Sequence, residues 1–136
     1  MSLEIKGIEE LQAKLEALGK VGDKVEGTAV KKGAKVVLDH FKKNAPKDSG
    51  NSRNALKVTS TKRFKNGGLW SQVGIDGSNW DKTKGLYFQH YGYLNHATGK
   101  RVNKNVGWMS EEFAKVEKYA SETIINEVQK ELNKIL

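Results

Sequence analysis

A single proline, Pro46, sets the strongest constraint on how this 136-residue chain can fold. Proline has no backbone N–H and disfavours helical geometry at the residue before it, so a helical pattern that reaches Ala45 must end there. Asp48 and Ser49 can then accept the free N–H groups of a new helical turn, and Gly50 permits a tight backbone. The stretch predicts a corner, with helix before it and sheet after it.

The segment before the corner predicts two helices. A short one is indicated by apolar residues at spacings of three and four, and it ends near Gly19: Ile8, Leu11, Leu15 and Leu18. Val21 to Asp23 is the expected connection, with Asp23 as N-cap, and the second helix runs from about Lys24 to Asn44. Its apolar stripe comprises Val30, Ala34, Val37, Leu38, Phe41 and Ala45. A smaller second face predicts a close neighbour, either the first helix or another subunit: Ala29, Gly33, Val36 and His40.

After the corner, the spacing of the apolar residues changes from the helical period of 3.6 to the strand period of 2. Residues 56–64 and 69–75 alternate between apolar and polar, and Asn66-Gly67 between them predicts a β-hairpin. Strict alternation places one set of residues on a common face: Leu56, Val58, Ser60, Lys62 and Phe64. Leu86 to Tyr93 fits a strand or a helix equally well. Leu94 to Gly107 is polar, basic and aperiodic, which predicts an exposed loop that is either mobile or functional; as a contact site it would become ordered on assembly.

The C-terminal segment predicts the clearest helix, with Ser110 as its N-cap. One apolar stripe runs along it: Phe113, Val116, Ala120, Ile124, Val128, Leu132 and Ile135. Together the segments predict a single α+β domain, in which an antiparallel sheet packs against a long helix of the N-terminal half and a long C-terminal helix. Its expected parts are a short helix and connection (1–22), a long helix (23–45), hinge and sheet (46–93), a basic loop (94–109) and a C-terminal helix (110–136).

The net charge of +8 lies in the middle of the chain, because residues 45–109 carry eleven Lys and Arg against three Asp and Glu. A basic face of this kind fits two interpretations equally well: a contact with an acidic protein surface or nucleic acid, or a solvated surface that keeps the chain soluble. The candidate contacts are Lys57, Lys62, Arg63, Lys65, Lys100, Arg101 and Lys104. The chain has no cysteine and no apolar run long enough to span a membrane. Its first residues do not resemble a secretion signal, so synthesis in the cytoplasm is expected.

The residues that could carry chemistry do not form a recognisable catalytic or metal-binding pattern. His40, His90 and His96 lack the i, i+4 spacing of a helical metal site. The phosphate-binding glycine loops and the nucleophile elbow are missing as well, so we expect no enzyme, no metal and no cofactor. Aromatic residues follow the basic hairpin, and they suit either single-strand binding or a place in the core or at an interface, of which the second is favoured: Trp70, Trp80, Tyr87, Tyr91 and Tyr93.

The order of these pieces resembles the minor tail-component family of long-tailed phages and prophages, the tail-completion or head–tail joining proteins. The resemblance rests on the opening Gly7-Ile8-Glu9-Glu10-Leu11 helix, the Ala45-Pro46 helix end and the later Tyr91-Gly92. Its specific motif is the hinge: Ala45, Pro46, Asp48, Ser49, Gly50 and Arg53. The chain departs from the family at three places: Ser52 in place of leucine, His90 in place of an acid, and Val106-Gly107-Trp108-Met109 in place of Pro-Phe-Leu.

The resemblance implies a structural protein of the neck–tail junction that forms a ring, with six as the expected number of copies. Its implied partners are further copies of itself and neighbouring tail-tube, tail-terminator or connector proteins, with non-specific contact to the packaged DNA. It implies a place in the virion tail or neck after synthesis in the bacterial host. The alternative is a small basic nucleic-acid-binding regulatory protein, which would bind DNA with a steep salt dependence.

Overall fold

A computed structural model describes residues 2–3, 9–46, 50–63 and 69–135 of the chain. Its elements are β1 (Ser2–Leu3), α1 (Glu9–Ala17), α2 (Lys20–Asn44), α3 (Gly50–Asn54), β2 (Lys57–Arg63), β3 (Leu69–Gly74), α4 (Trp80–Tyr91), β4 (Tyr93–Asn95), β5 (Lys100–Val102) and α5 (Trp108–Ile135). Strands β1 to β3 form one antiparallel sheet, and β4 pairs with β5 in a second. The predicted α+β class is confirmed.

The corner before Pro46 is confirmed. Helix α2 ends at Asn44, and Ala45 has extended backbone angles, with φ −62° and ψ 157°. The Ala45 N–H still donates to the Phe41 carbonyl oxygen at 2.8 Å, so the last turn of the helix closes before the chain changes direction. Helix α3 begins at Gly50. Asp48 and Ser49 lie outside the described residues, and their capping role stays a prediction.

The predicted connection between the first two helices is wrong. Val21 to Asp23 lie in the first turn of α2, and the turn is made by Gly19, whose φ is +61°. A Cβ built on Gly22 would lie 1.9 Å from the Leu15 carbonyl oxygen. Gly22 therefore allows α1 and α2 to approach each other closely. In a sequence, a glycine needed for such packing looks the same as a glycine that forms a turn.

The predicted hairpin is confirmed, since β2 and β3 pair along their length in antiparallel register. Its Asn66-Gly67 turn and Phe64 lie outside the part of the chain that the structure describes. Strand β1 adds a third member on the far side of β3, with Ser2 opposite Gln72 and Leu3 opposite Ser71. Two residues are too few to show alternation, and this strand was not predicted.

A bulge in β2 corrects the predicted faces of that strand. Val58 pairs with Val73 and Thr61 with Ser71, so one extra residue lies between them. Since Val73 and Ser71 share a face, Val58 and Thr61 do so too, and the Thr61 and Ser71 hydroxyl oxygens lie 3.1 Å apart. Lys62 is consequently turned away from the Val58 face and is exposed. A one-residue shift reverses every later side chain, which strict alternation cannot anticipate.

Both faces of α2 are covered by this chain itself. One face packs on β2 and β3, and α5 packs on another. Two ion pairs connect α2 to α5: Lys32 Nζ lies 2.8 Å from Glu127 Oε1, and His40 Nε2 lies 3.0 Å from Glu112 Oε2. The second apolar face, which was expected to meet the first helix or another subunit, therefore meets α5.

Helix α5 begins two residues earlier than predicted, so Ser110 lies inside its first turn. The helix begins earlier because Trp108 is buried in the core. Its side chain is 5% exposed and packs edge-on against Phe41 at a ring-centroid distance of 5.7 Å. The predicted stripe is buried over most of its length: Val116, Ala120, Ile124, Val128 and Leu132. Ile135, at its end, is 43% exposed.

Two glycines of α2 provide a matched test of this packing. Gly22→Ala should destabilise the fold by about 1–3 kcal/mol, because the new methyl group has no room against Leu15. Gly27→Ala should stabilise it by about 0.5–1 kcal/mol, because nothing lies within 4 Å of a Cβ there and alanine favours helix. Urea unfolding of both variants measures the difference. Equal effects would contradict the close approach of α1 and α2.

Candidate assembly interface

The loop before α4 is held by Asn79. Its amide nitrogen donates to the carbonyl oxygens of Ala55 and Gly74, both at 2.8 Å, and its side-chain oxygen accepts from the Asp76 N–H at 2.9 Å. Asp76 in turn accepts hydrogen bonds from the Ser78 hydroxyl and N–H, which hold the pKa of its carboxyl below the usual value. Helix α4 therefore starts from a loop whose polar groups are satisfied by neighbouring segments.

The segment that fitted either strand or helix is helical, because Leu86 to Tyr91 fall within α4. Its inner face is short: Thr83 and Leu86 are fully buried, and the Leu86 carbonyl oxygen accepts from Trp108 Nε1 at 3.0 Å. Its exposed side carries Tyr87, Phe88 and Tyr91 as well as the charged Asp81, Lys82 and Lys84. Aromatic residues on the exposed side weaken the contrast on which an amphipathic pattern depends, and this explains why periodicity did not distinguish the two structures.

The aromatic side chains of α4 form a continuous group at the surface. Tyr87 contacts Trp80, Phe88 and Tyr91, with ring-centroid distances of 5.0, 5.8 and 4.7 Å. Tyr87 is 38% exposed, Phe88 43% and Tyr91 59%. Contiguous exposed aromatic surface of this kind is typical of a site that another macromolecule covers.

Hydrogen bonds hold the segment after β5 against the C-terminal end of α4. The Gly107 N–H donates to the His90 carbonyl oxygen at 2.8 Å, and the Met109 N–H donates to His90 Nδ1 at 3.2 Å. The Asn105 side chain donates to Gln89 Oε1 at 2.8 Å. These bonds place residues 103–109 beside the aromatic group and connect it to the start of α5.

Gly92 allows this arrangement. It follows α4 with φ 80° and ψ 159°, a backbone region that only glycine readily occupies. A Cβ there would also lie 2.7 Å from Asn103 Oδ1, 3.2 Å from Val106 Cγ2 and 3.3 Å from an Arg101 guanidinium nitrogen. The Tyr91-Gly92 element, noted above only as part of a resemblance, therefore has a structural reason in this chain.

The predicted loop over Leu94 to Gly107 is partly wrong, since it contains the second half of a hairpin. Leu94 pairs with Arg101, and Asn95 pairs with Lys100. The Asn95 side-chain oxygen accepts from the N–H groups of Ala97 and Thr98 within the turn. Three-residue strands with polar side chains carry no readable period, so the pairing was missed.

These elements define what we call the aromatic patch: Tyr87, Phe88, Tyr91, Leu94 and Val106. Leu94 is 48% exposed and Val106 47%. Lys100, Arg101 and Lys104 are exposed on the hairpin and the segment after it, and Arg101 lies opposite Leu94. An apolar centre beside a cationic rim is the arrangement of a protein–protein contact. The sequence did contain a signal for this surface. Intervals of seven and four residues place three aromatic side chains on one face of a helix: Trp80, Tyr87 and Tyr91.

The other predicted cations lie elsewhere. Lys57 and Lys62 are exposed on β2, and Lys57 lines a separate cleft of about 530 Å³ with Lys42 and Lys82. Arg63 is the last residue of β2, and Lys65 lies outside the described residues. Of the seven candidate contact residues, three therefore lie on the β4–β5 hairpin or directly after it: Lys100, Arg101 and Lys104.

Three of the predicted hinge residues line a different cleft, which we call the hinge cleft: Ala45, Pro46 and Arg53. It has a volume of about 760 Å³ and lies between the hinge, α4 and the β4–β5 hairpin. Ala45 is buried, and its carbonyl oxygen accepts a 2.5 Å hydrogen bond from an Arg53 guanidinium nitrogen. Arg53 therefore ties α3 back to the end of α2. Lys43, which was not among the predicted site residues, lies at the same cleft.

The titratable groups of the described residues do not gather into a catalytic centre. No group of three or more His, Asp and Glu side chains is close enough there to share a metal ion. Burial disfavours the charged form of Glu112, but hydrogen bonds from Lys115 and His40 outweigh it and lower the pKa of that carboxyl. His40 and Glu112 form a part-buried pair between α2 and α5, which is a packing role.

Residues 9–96, more than half of the chain, match the profile of the HK97-gp10-like family, described as "Bacteriophage HK97-gp10, putative tail-component". The chain belongs to this phage tail-component family. The matched range runs from the first residue of α1 into the turn after β4, so it contains the hinge, α4 and Tyr91-Gly92. No curated protein and no solved structure matches the chain. Within the ranges that the structure describes, none of the helices is long and apolar enough to cross a bilayer.

Two positive-φ glycines test the junction after α4. Gly92→Ala should cost about 1–3 kcal/mol in backbone strain and a further 1–3 kcal/mol from crowding against Asn103. Gly99→Ala, in the hairpin turn, meets nothing within 4 Å and should cost only about 1–2 kcal/mol. Chemical denaturation of the two variants compares them. A Gly92 variant as stable as the Gly99 variant would contradict the junction geometry.

Because of His90, we expect the stability of the fold to fall at a pH above the range in which carboxylates titrate. Burial lowers the pKa of His90 below its ordinary value of 6.5. The unfolded chain therefore binds the proton first, so stability is complete above about pH 6.5 and falls as the pH drops below it. His90→Gln should reduce the loss of unfolding free energy between pH 7.5 and 5, measured by urea titration at each pH. His96→Gln, exposed in the hairpin turn, is the control and should leave that loss unchanged.

Proposed function

We propose that this chain is a structural subunit of the phage neck–tail junction, where it completes the tail or joins it to the head by assembling into a ring. Family membership supports a role in the tail. The observation that carries the finer proposal is the aromatic patch with its cationic rim, because it offers a contact surface that is already formed in the single chain. We further propose that the protein has no enzymatic activity.

A ring of identical copies needs two different surfaces on each subunit that fit each other. The aromatic patch is one of them, and it lies in the part of the chain that carries the excess of positive charge. The outer face of α5 is our choice for the other. Tyr119 is 63% exposed there, and an exposed aromatic side chain is a suitable anchor for a contact between two copies.

The remaining partners follow from the same location. A ring at the neck contacts tail-tube, tail-terminator or connector proteins above and below it, and it surrounds the channel through which DNA passes. The exposed Lys57 and Lys62 on β2 lie outside the aromatic patch, which leaves them for these contacts. The protein would be made in the cytoplasm of the bacterial host and retained in the finished virion.

The aromatic patch is tested by Tyr91→Asp in the phage or prophage that encodes the chain. An interface anchor commonly contributes about 2 kcal/mol or more, about thirtyfold per contact, and a ring multiplies the loss over its copies. We expect infectious titre to collapse, with free heads and tails visible by electron microscopy. Val21→Asp is the control, since Val21 is 52% exposed on α2, away from α4. Full titre from the Tyr91 variant, with a melting temperature like that of the Val21 variant, would rule out the patch.

The cationic rim has its own test. Reversing Lys100, Arg101 and Lys104 to glutamate should leave the monomer folded, because all three side chains are exposed, and should block virion completion. A duplex DNA titration of the unaltered protein accompanies it. Affinity that is micromolar or tighter and falls steeply with salt would favour the nucleic-acid-binding regulator instead.

A further inference from the structure

The hinge cleft has no assigned role, and its walls come from three parts of the chain. Ala45 and Pro46 form one wall, Gly85 and Gln89 of α4 another, and Tyr93 and Val102 of the hairpin a third. A Cβ built on Gly85 meets nothing within 4 Å, in agreement with a wall that faces open space. The cleft of about 760 Å³ is large enough to receive several side chains of another protein.

The charged residues that line the hinge cleft in the described part of the chain are all basic. Lys43, Arg53 and Lys104 line it, and no Asp or Glu is among the lining residues that the structure describes. Arginine stays protonated at any physiological pH. Three cations at one concave site, with apolar surface between them, attract a carboxylate or phosphate more strongly than isolated surface lysines do.

Arg53 presents a fixed positive charge at this site. One of its terminal nitrogens donates to the Ala45 carbonyl oxygen, which fixes the guanidinium in place. Its Nε is buried and has no hydrogen-bond partner in the described part of the chain. Since Nε is shielded from solvent, the cleft meets Arg53 through the rest of its side chain, whose positive charge attracts an acceptor.

We propose that the hinge cleft binds an acidic segment of a neighbouring tail protein, with a carboxylate accepting from Arg53 and with Lys43 and Lys104 at the rim. The proposal rests on the proposed function for the identity of the partner. A polypeptide suits the cleft better than DNA, because duplex phosphates lie on a wide convex surface that cannot enter a concave site. Pro46, Tyr93 and Val102 offer apolar contact to the side-chain methylenes of glutamate.

The test is fluorescence anisotropy of a labelled hexaglutamate peptide added to the purified full chain, with duplex DNA as a second probe. Lys43→Glu should weaken peptide binding about tenfold or more, the range for a charge-assisted hydrogen bond. Lys35→Glu is the matched control, because Lys35 is exposed on the same helix and does not line the cleft. Backbone NMR shifts on peptide addition should centre on Gly85, Gln89 and Val102. Arg53→Lys keeps the charge but loses the planar guanidinium, which matches a carboxylate better than an ammonium does, and should weaken binding as well.

Three results would overturn the proposal: no peptide binding by the unaltered chain, equal weakening by Lys43→Glu and Lys35→Glu, or a loss confined to the DNA probe. The isolated protein is sufficient for this assay, so it stays valid if the Tyr91 variant shows that the ring interface is wrong. Lys43 lies outside the aromatic patch, and its variant should also lower infectious titre. Peptide binding lost with a normal titre would retain the acidic-ligand site and overturn the tail-protein partner.

Discussion

The coverage of α2 on both sides is the constraint on which the structure depends. This helix packs on β2 and β3 with one face and on α5 with another, and Phe41 near its end contacts Trp108 at the start of α5. Since the burial of apolar surface is the main driving force of folding, the long helix is stable only when both neighbours are in place. The ion pairs Lys32–Glu127 and His40–Glu112 set where α5 lies along it. The apolar faces of both long helices are thereby packed inside one chain, and the surface left for partners lies on α4, on the β4–β5 hairpin and on the outer face of α5.

The long elements could be predicted from the sequence because each carries a sustained period and a physical stop. Pro46 ends α2 as expected, and the apolar stripe of α5 is buried from Val116 to Leu132. The failures are local. Gly22 looks like a turn but serves helix contact, and a single bulged residue in β2 reverses the face of Lys62. Both depend on which segment lies nearby, and a linear pattern does not contain that information.

The candidate site was predictable only in part, for the same reason. Lys100, Arg101 and Lys104 were identified by charge; Arg101 lies opposite Leu94 of the aromatic patch, Lys100 lies on the same strand, and Lys104 also lines the hinge cleft. Phe88, Leu94 and Val106 were missed, because single apolar residues in an apparently irregular segment look like core or chance. The hinge cleft needed the tertiary fold to be seen at all, since its cations come from residues 43, 53 and 104.

The hydrogen bonds between residues 103–109 and α4 affect how fast and how tightly a partner can bind to the aromatic patch. A segment expected to order only on assembly would lose conformational entropy at that step, and much of its contact energy would be spent on the ordering. Here the backbone bonds from Gly107 and Met109 to His90 have already fixed the shape. A partner meets a rigid template, so nearly all of the surface that it covers contributes to affinity, and association can proceed at the pace of collision and alignment.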